Sequence, residues 1–351
     1  MKKIIIITGG SGGHVIPALN MFDHLKKNFK VQIISDARGS RFIDKNIYDV
    51  SLLNVPNLFS NIYFFPIKLF GFFFSIIRSI IFIINYKPDI VISTGGYMCI
   101  PFSLATYLFK KKLVLFEPNS VLGRTNKLML KFSKNIICYN DDIKNFPNNN
   151  KFKISIFPPI LRKELYEMKK NENQNFNDIK KILVIGGSQG AKFFDKEITK
   201  LLVNISASLK IEVMQQVTNN LELKNIRDMY QISGIRNTLF KYENDLFRKY
   251  SDFDFVITRA GASAISELAY LNIPFMAIPL PSSKDNHQFY NAKFYFDRNS
   301  CWMYSQKNFN LNDMSNIIIN IFSEKKEYFN VKDNLSKITN QNTWNNINKR
   351  L

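Results

Sequence analysis

Cysteine is scarce in these 351 residues: Cys99, Cys138 and Cys301 are odd in number and widely spaced, with no CxxC pairing. That excludes a disulfide framework and a CxxC zinc site, and it fits a reducing cytoplasm. Acidic residues are few as well, 28 against 48 Lys and Arg, which leaves a formal net charge of +20. The imbalance points to an anionic partner: nucleic acid, a phosphorylated substrate or acidic lipid head groups. An AT-biased genome that fills solvated faces with Lys would leave the same composition. No DxD-type carboxylate pair stands near the glycine loops, so no protein-held metal and no cofactor are expected. No Gly-Lys-Ser/Thr Walker loop and no regular GxGxxG fingerprint occur. The apolar run Ile4 to Ile7 ends in glycines at once, too short for a signal peptide.

Hydrophobic residues at 46% and charged residues at 22% place the chain among globular proteins, and its length suggests two domains. Met1 to Ile7 reads as a buried strand, Gly9 to Gly13 as a loop and Val15 to Asn28 as a helix. Further strands are expected at Val31 to Ser35, Ile90 to Ser93, Lys112 to Phe116 and Asn135 to Cys138. The pattern stops at Pro158-Pro159 and the low-complexity run Asn171 to Asn177. Lys181 to Ile185 then repeats the opening design, followed by Gly186-Gly187-Ser188-Gln189-Gly190. Strands at Ile211 to Gln215, Thr238 to Tyr242, Phe253 to Thr258 and Pro274 to Ile278 complete the second half. The fold class expected is α/β, with two Rossmann-like domains facing each other across a cleft.

Four segments carry the chemistry. The loop Thr8 to His14 offers unobstructed N–H groups at a helix N-terminus, suited to phosphate or pyrophosphate, and could equally be a tight strand-to-helix turn. His14 on that loop can take a proton near neutral pH, whereas His24, inside the helix, reads as packed or solvated. Ser188 in the second glycine loop can meet phosphate oxygens. Ahead of Glu267, small residues from Thr258 onward let a ligand approach the backbone, and its carboxylate can accept both ribose hydroxyls; an ordinary helix-surface carboxylate is the plainer reading. Asp285 to Ala292 gathers polar groups suited to sugar hydroxyls.

Taken in order, GGSGGHVIPAL, GGYMCIP, EPNSVLGRTNK, GGSQGA, RAGASAISELA and DNHQFYNA resemble the MurG family of membrane-associated N-acetylglucosaminyltransferases. They reach from Gly9 to Ala292. The resemblance implies the GT-B arrangement, with residues 1–158 as acceptor and membrane domain, 159–180 as linker, 181–335 as donor domain and 336–351 as a closing segment returning to the first. It implies inverting transfer of GlcNAc from UDP-GlcNAc to the C4 hydroxyl of MurNAc in lipid I, an undecaprenyl-linked acceptor, giving lipid II in peptidoglycan synthesis. Carried over by motif, Ser11, Gly12, Gly13, Asn119, Ser188, Ala262, Ser263, Ala264, Ile265, Ser266, Glu267, His287 and Gln288 would bind UDP-GlcNAc, with Glu267 on the ribose. His14 is the candidate base and Glu117 its rival, if the acceptor enters along Gly95, Gly96 and Tyr97. Ser11 stands where the family usually has Thr, and Pro118 where Gln is common. The segment Phe157 to Arg162 replaces the family's Gly-Asn-Pro-Val-Arg, so placing Arg162 on the diphosphate needs a one-residue shift. Partners expected on this basis are UDP-GlcNAc, lipid I and anionic membrane lipids, with no nucleic acid, at the cytoplasmic side of the inner membrane. Another lipid glycosyltransferase, a UDP-GlcNAc epimerase, a UDP-binding scaffold without turnover and a nicotinamide-dependent oxidoreductase are the competing readings.

One apolar run, Ile62 to Tyr86, approaches the roughly 20 residues a membrane span needs. On a helical wheel Lys68, Gly71, Ser75, Arg78, Ser79 and Phe82 share a narrow sector, and Phe, Ile and Leu cover the rest. A helix lying in the lipid interface, with Phe72, Phe73 and Ile76 in contact, is the favoured reading, against a buried core helix or a span. Lys110, Lys111, Lys112, Lys127 and Lys131 would add attraction to anionic head groups.

Overall fold

In a computed structural model, the structure describes residues 1–57, 62–172, 178–187, 192–243, 245–339, 341–344 and 346–349. The chain divides into two compact units, Met1–Tyr166 together with Thr343–Leu351, and Glu167–Asn342.

The first unit is built on seven parallel strands: β1 (Lys3–Ile7), β2 (Lys30–Ser35), β3 (Val50–Leu52), β4 (Ile90–Ser93), β5 (Lys112–Glu117), β6 (Asn135–Cys138) and β7 (Ile154–Ile156). Their order in the sheet is β3-β2-β1-β4-β5-β6-β7. Because side chains alternate across a strand, the four isoleucines of β1 serve two layers: Ile4 and Ile6 enter one core cluster, Ile5 and Ile7 the other. A strand so covered reads as an unbroken apolar run. The helices are α1 (Gly12–Leu25), α2 (Phe65–Tyr86), α3 (Cys99–Leu108) and α4 (Arg124–Met129), with the short α5 (Lys163–Glu167) at the end of the unit.

The second unit has six parallel strands, β8 (Lys180–Ile185), β9 (Ile211–Gln216), β10 (Arg236–Phe240), β11 (Phe255–Thr258), β12 (Phe275–Ala277) and β13 (Trp302–Met303). They run in the order β10-β9-β8-β11-β12-β13. Its helices are α6 (Thr199–Ser206), α7 (Asn220–Ile232), α8 (Ala262–Tyr270), α9 (His287–Phe296), α10 (Leu311–Ser323) and α11 (Lys325–Thr339). In each sheet the strand order reverses direction once, between β1 and β4 and between β8 and β11. In open α/β sheets the loops that part at such a point frame the ligand crevice.

Helix α2 is turned contrary to a simple reading of its polarity. Ser75, Ser79 and Ile83 are its buried residues, facing its own unit beside α3. Each serine satisfies its hydroxyl on the preceding turn, Ser75 Oγ donating to the Gly71 carbonyl at 2.8 Å and Ser79 Oγ to that of Ser75 at 2.7 Å. Gly71 lies where a Cβ would meet Pro56 Cγ at 2.8 Å, so the helix seats closely on the preceding loop. The outward face is apolar: Ile67, Phe70, Phe73, Phe74, Ile77, Ile81 and Ile84 are all exposed, Phe70 by 76%. Of the three expected contact residues only Phe73 stands on that face. Phe72 and Ile76 are half-buried, and the Phe72 ring rests 6.0 Å from that of Tyr97.

Candidate active site

In the first unit the loops after β1 and β4 meet. His14, in the first turn of α1, places Nδ1 2.9 Å from the Thr94 carbonyl oxygen. A carbonyl only accepts, so Nδ1 is the donor, and in the neutral ring the free lone pair is then on Nε2. Gly95 and Gly96 adopt φ of +87° and +84°, a conformation side chains resist. A Cβ on either would come within 4 Å of the His14 ring, so this glycine pair lets the loop fold closely over the imidazole. The N–H groups of Gly12 and Gly13 begin α1 and have no acceptor within the helix. Ser11, at the N-cap and exposed, leaves them uncapped.

Glu117 closes β5 and is buried. Its Oε1 accepts from the Asn119 side chain at 3.0 Å and the Asn119 N–H at 3.3 Å. Its Oε2 accepts from the Gly123 N–H at 2.8 Å and Asn126 Nδ2 at 3.0 Å. A carboxylate engaged by four donors organises the loop 117–126, and that geometry counts against a base. Asn119 spends its amide on Glu117. Asn126, which the sequence did not single out, is buried with Oδ1 unpartnered among the described residues, and its amide lies 3.3 Å from where a Gly95 Cβ would stand. Arg162 is half-buried in this unit, near enough to Tyr48 to act on its hydroxyl.

The first glycine loop differs from a phosphate cradle in one respect. Asp36, directly after β2, is buried and takes the Gly10 N–H on Oδ1 at 2.9 Å. An internal carboxylate therefore occupies part of the position expected for a ligand phosphate. Its other oxygen pairs with Arg38 at 3.2 Å. An acid at the end of the second strand would hold the ribose of a dinucleotide. Here it is consumed internally.

In the second unit the sheet order reverses between β8 and β11. The Gly187 N–H donates to Gln216 Oε1 at 3.0 Å; Ser188 and the rest of that glycine loop lie outside the described residues. Arg259 follows β11. Its guanidinium donates to the Ile278 carbonyl at 3.0 Å and lies over the Phe194 ring at 4.7 Å, joining the ends of β11 and β12 to the helical segment that begins at Phe194. Burial brings its pKa down to about 10, so it stays charged at neutral pH. Gly261 caps α8 without a side chain, leaving the first N–H groups of the helix uncapped at Ala262, Ser263 and Ala264, which are half-buried. Ile265, Ser266 and Glu267 are buried, and Ser266 Oγ is 3.4 Å from the Tyr295 hydroxyl. The segment Asp285 to Ala292 comes to the same place, because Asn291 Nδ2 donates to the Ala260 carbonyl at 3.1 Å. Gln288 accepts the Leu280 N–H on Oε1 at 3.0 Å, so its NH₂ is turned to other partners. His287 is held on the Lys284 carbonyl at 2.8 Å. Asp285 and Asn286 both sit in left-handed backbone, φ +52° and +60°, strain of the kind that gathers at ligand sites.

The model of the glycosyltransferase family 28 N-terminal domain matches residues 4–138, and that of the family 28 C-terminal domain residues 181–351. A UDP-N-acetylglucosamine–N-acetylmuramyl-(pentapeptide) pyrophosphoryl-undecaprenol N-acetylglucosamine transferase of Pelagibacter ubique is 41% identical over 350 residues, covering 100% of this chain and 98% of its own. The enzyme of the same name from Rickettsia canadensis is 33% identical, covering 96% and 95%. Among solved structures, Acinetobacter baumannii MurG superposes with a TM-score of 0.80 at 19% identity over 99% of this chain and 98% of that one, a likeness of fold. A UDP-GlcNAc 2-epimerase from Neisseria meningitidis bound to UDP-GlcNAc shares the fold at a TM-score of 0.67 and 14% identity, covering 96% of each chain. With both domain models matched in order and a relative of that identity along the whole chain, this protein belongs to glycosyltransferase family 28 and, within it, to the MurG family.

Proposed function

We propose that the chain transfers GlcNAc from UDP-GlcNAc to the C4 hydroxyl of MurNAc in undecaprenyl-pyrophosphoryl-MurNAc-pentapeptide, lipid I, with inversion, yielding lipid II. The observation that carries the chemistry is the contact of His14 Nδ1 with the Thr94 carbonyl oxygen. With Nδ1–H committed to Thr94, the Nε2 lone pair is the proton acceptor for the attacking hydroxyl. A single in-line displacement then needs no covalent nucleophile. In the second unit, the N–H groups of Ala262 to Ala264 stabilise the departing UDP, Glu267 takes the ribose hydroxyls and the Gln288 NH₂ reads a hydroxyl of GlcNAc. Arg162 and Ser188 are assigned to the diphosphate by motif alone.

The same proposal places the enzyme peripherally on the cytoplasmic face of the inner membrane, with anionic lipids as partners. The outward face of α2 supports it, since its exposed side chains are apolar apart from Arg78 and Asn85, and no Asp or Glu falls in the helix. By length and composition α2 could cross a bilayer; its serines, buried against its own unit, favour lying along the surface. Transfer of labelled GlcNAc to a soluble lipid I analogue tests the reaction. Wild type should transfer, and His14→Ala should lose about 10²- to 10⁴-fold in kcat while still binding UDP-GlcNAc. A wild-type protein that binds UDP-GlcNAc and transfers nothing to the analogue overturns the proposal.

A further inference from the structure

Asp36 has no part in the chemistry just described, yet it ties the loop that carries His14 to the turn after β2. It is 6% exposed. Its Oδ1 accepts the Gly10 N–H at 2.9 Å and the Gly39 N–H at 2.8 Å, and Arg38 closes over Oδ2. A Cβ on Gly9 would stand 2.7 Å from that same Oδ1, and one on Gly39 would stand 2.8 Å from Gly9 Cα. The glycines are therefore bare because the carboxylate and the turn after β2 are wedged against the loop. On the other side Gly9 is met by the second loop, since a Cβ on Gly96 would lie 3.5 Å from its carbonyl oxygen. Ser11 follows, α1 starts, and His14 lies in its first turn.

We infer that Asp36 is a positioning residue for the transfer reaction: it pins the Gly9–Gly10 turn so that α1 delivers His14 Nε2 at a fixed place. Its carboxylate also sets the charge of the loop. The Gly10 N–H is closed to an anionic ligand, and the Asp36 carboxylate repels one from that side of the loop. The first glycine loop thus serves chiefly as a mount for the base. The claim rests on the proposed role of His14, so its test has an arm that needs no turnover.

Asp36→Ala removes the acceptor of both N–H groups, whereas Asp36→Asn keeps a carbonyl oxygen where Oδ1 stands. The expected outcome for Asp36→Ala is a fall in kcat of about 10- to 100-fold, as displacement of a reacting group produces, with the KM and Kd for UDP-GlcNAc within twofold of wild type. Asp36→Asn should recover most of that loss. In hydrogen exchange on the free protein, the peptide spanning residues 8–14 should exchange faster in Asp36→Ala and near the wild-type rate in Asp36→Asn. A wild-type kcat in Asp36→Ala, an equal loss of donor affinity, or unchanged exchange across residues 8–14 each overturns the inference. If wild type itself transfers nothing, the proposed reaction fails, and the exchange arm still decides whether Asp36 pins the loop.

Discussion

Glu117 and His14 lie in the same unit and both can accept a proton, but they are wired differently. Four donors converge on Glu117. In Glu117→Gln the new NH₂ must face N–H groups, leaving some of them without an acceptor, at a cost of about 1–3 kcal/mol. A lower Tm with a partial loss of transfer is expected, measured by calorimetry and the labelled-GlcNAc assay. An unchanged Tm with transfer abolished would move the base to Glu117. His24 shows the opposite use of an imidazole. It is buried, donates Nε2–H to the Leu161 carbonyl at 3.0 Å and stacks on Trp344 at 3.6 Å. Burial lowers its pKa to about 4, below the 6.5 of an unfolded chain. Between those values the unfolded state binds more protons, so the stability from neutral His24 is present above pH 6.5 and lost as pH falls towards 4. At about 1.4 kcal/mol per unit the total is about 3 kcal/mol. Urea melts from pH 7 to pH 4 should show this slope, and His24→Phe should flatten it.

Helix α2 shows what sequence polarity conceals. Its small and hydroxylic residues look like a solvent stripe on a helical wheel, and they are the seat on the domain, since serines that bond back onto their own helix can be buried, Ser75 also reaching the Asn54 carbonyl at 3.3 Å. The membrane test must therefore target the outward face. Phe70→Ser, Phe73→Ser and Phe74→Ser together should release the protein from vesicles containing anionic lipid, leaving UDP-GlcNAc affinity unchanged. Sedimentation with the vesicles as complete as for wild type would remove α2 from the membrane contact. Elsewhere, elements were legible where they were long and buried. Ile90 to Ser93 and Asn135 to Cys138 were read to the residue, and β1 and β8 within one or two at their starts. The edge strands β3, β7 and β13 were missed, since two or three half-buried residues carry no period. The placement of His14 where the first glycine loop meets α1 was legible from the glycines before it. The site was not legible at Asp36 or Arg259, whose roles depend on which loops the sheet order brings beside them. An acid directly after the second strand was the available signal for Asp36.

The two units do not divide the chain into two continuous pieces. Thr343–Leu351 belongs with Met1–Tyr166 although the second unit intervenes. The contacts are hydrophobic and aromatic: Ile347 is 1% exposed within the core that holds Ile4 and Phe22, and Trp344 meets His24 and Tyr166. Chain order therefore says little about which unit a C-terminal deletion harms. Removing residues 343–351 takes nothing from the second unit, but it uncovers His24 and empties the Ile347 site. Loss of one fully buried Ile side chain alone costs about 2–5 kcal/mol. Thermal unfolding of the truncated protein should show the first unit melting earlier. Added UDP-GlcNAc should still raise the transition of the second unit, by about 2.7 kcal/mol at a hundred times Kd. Equal destabilisation of both transitions would mean that the tail supports the second unit as well. Loss of the ligand-induced shift would mean that the first unit, where Arg162 lies, contributes more to donor binding than the groups of the second unit.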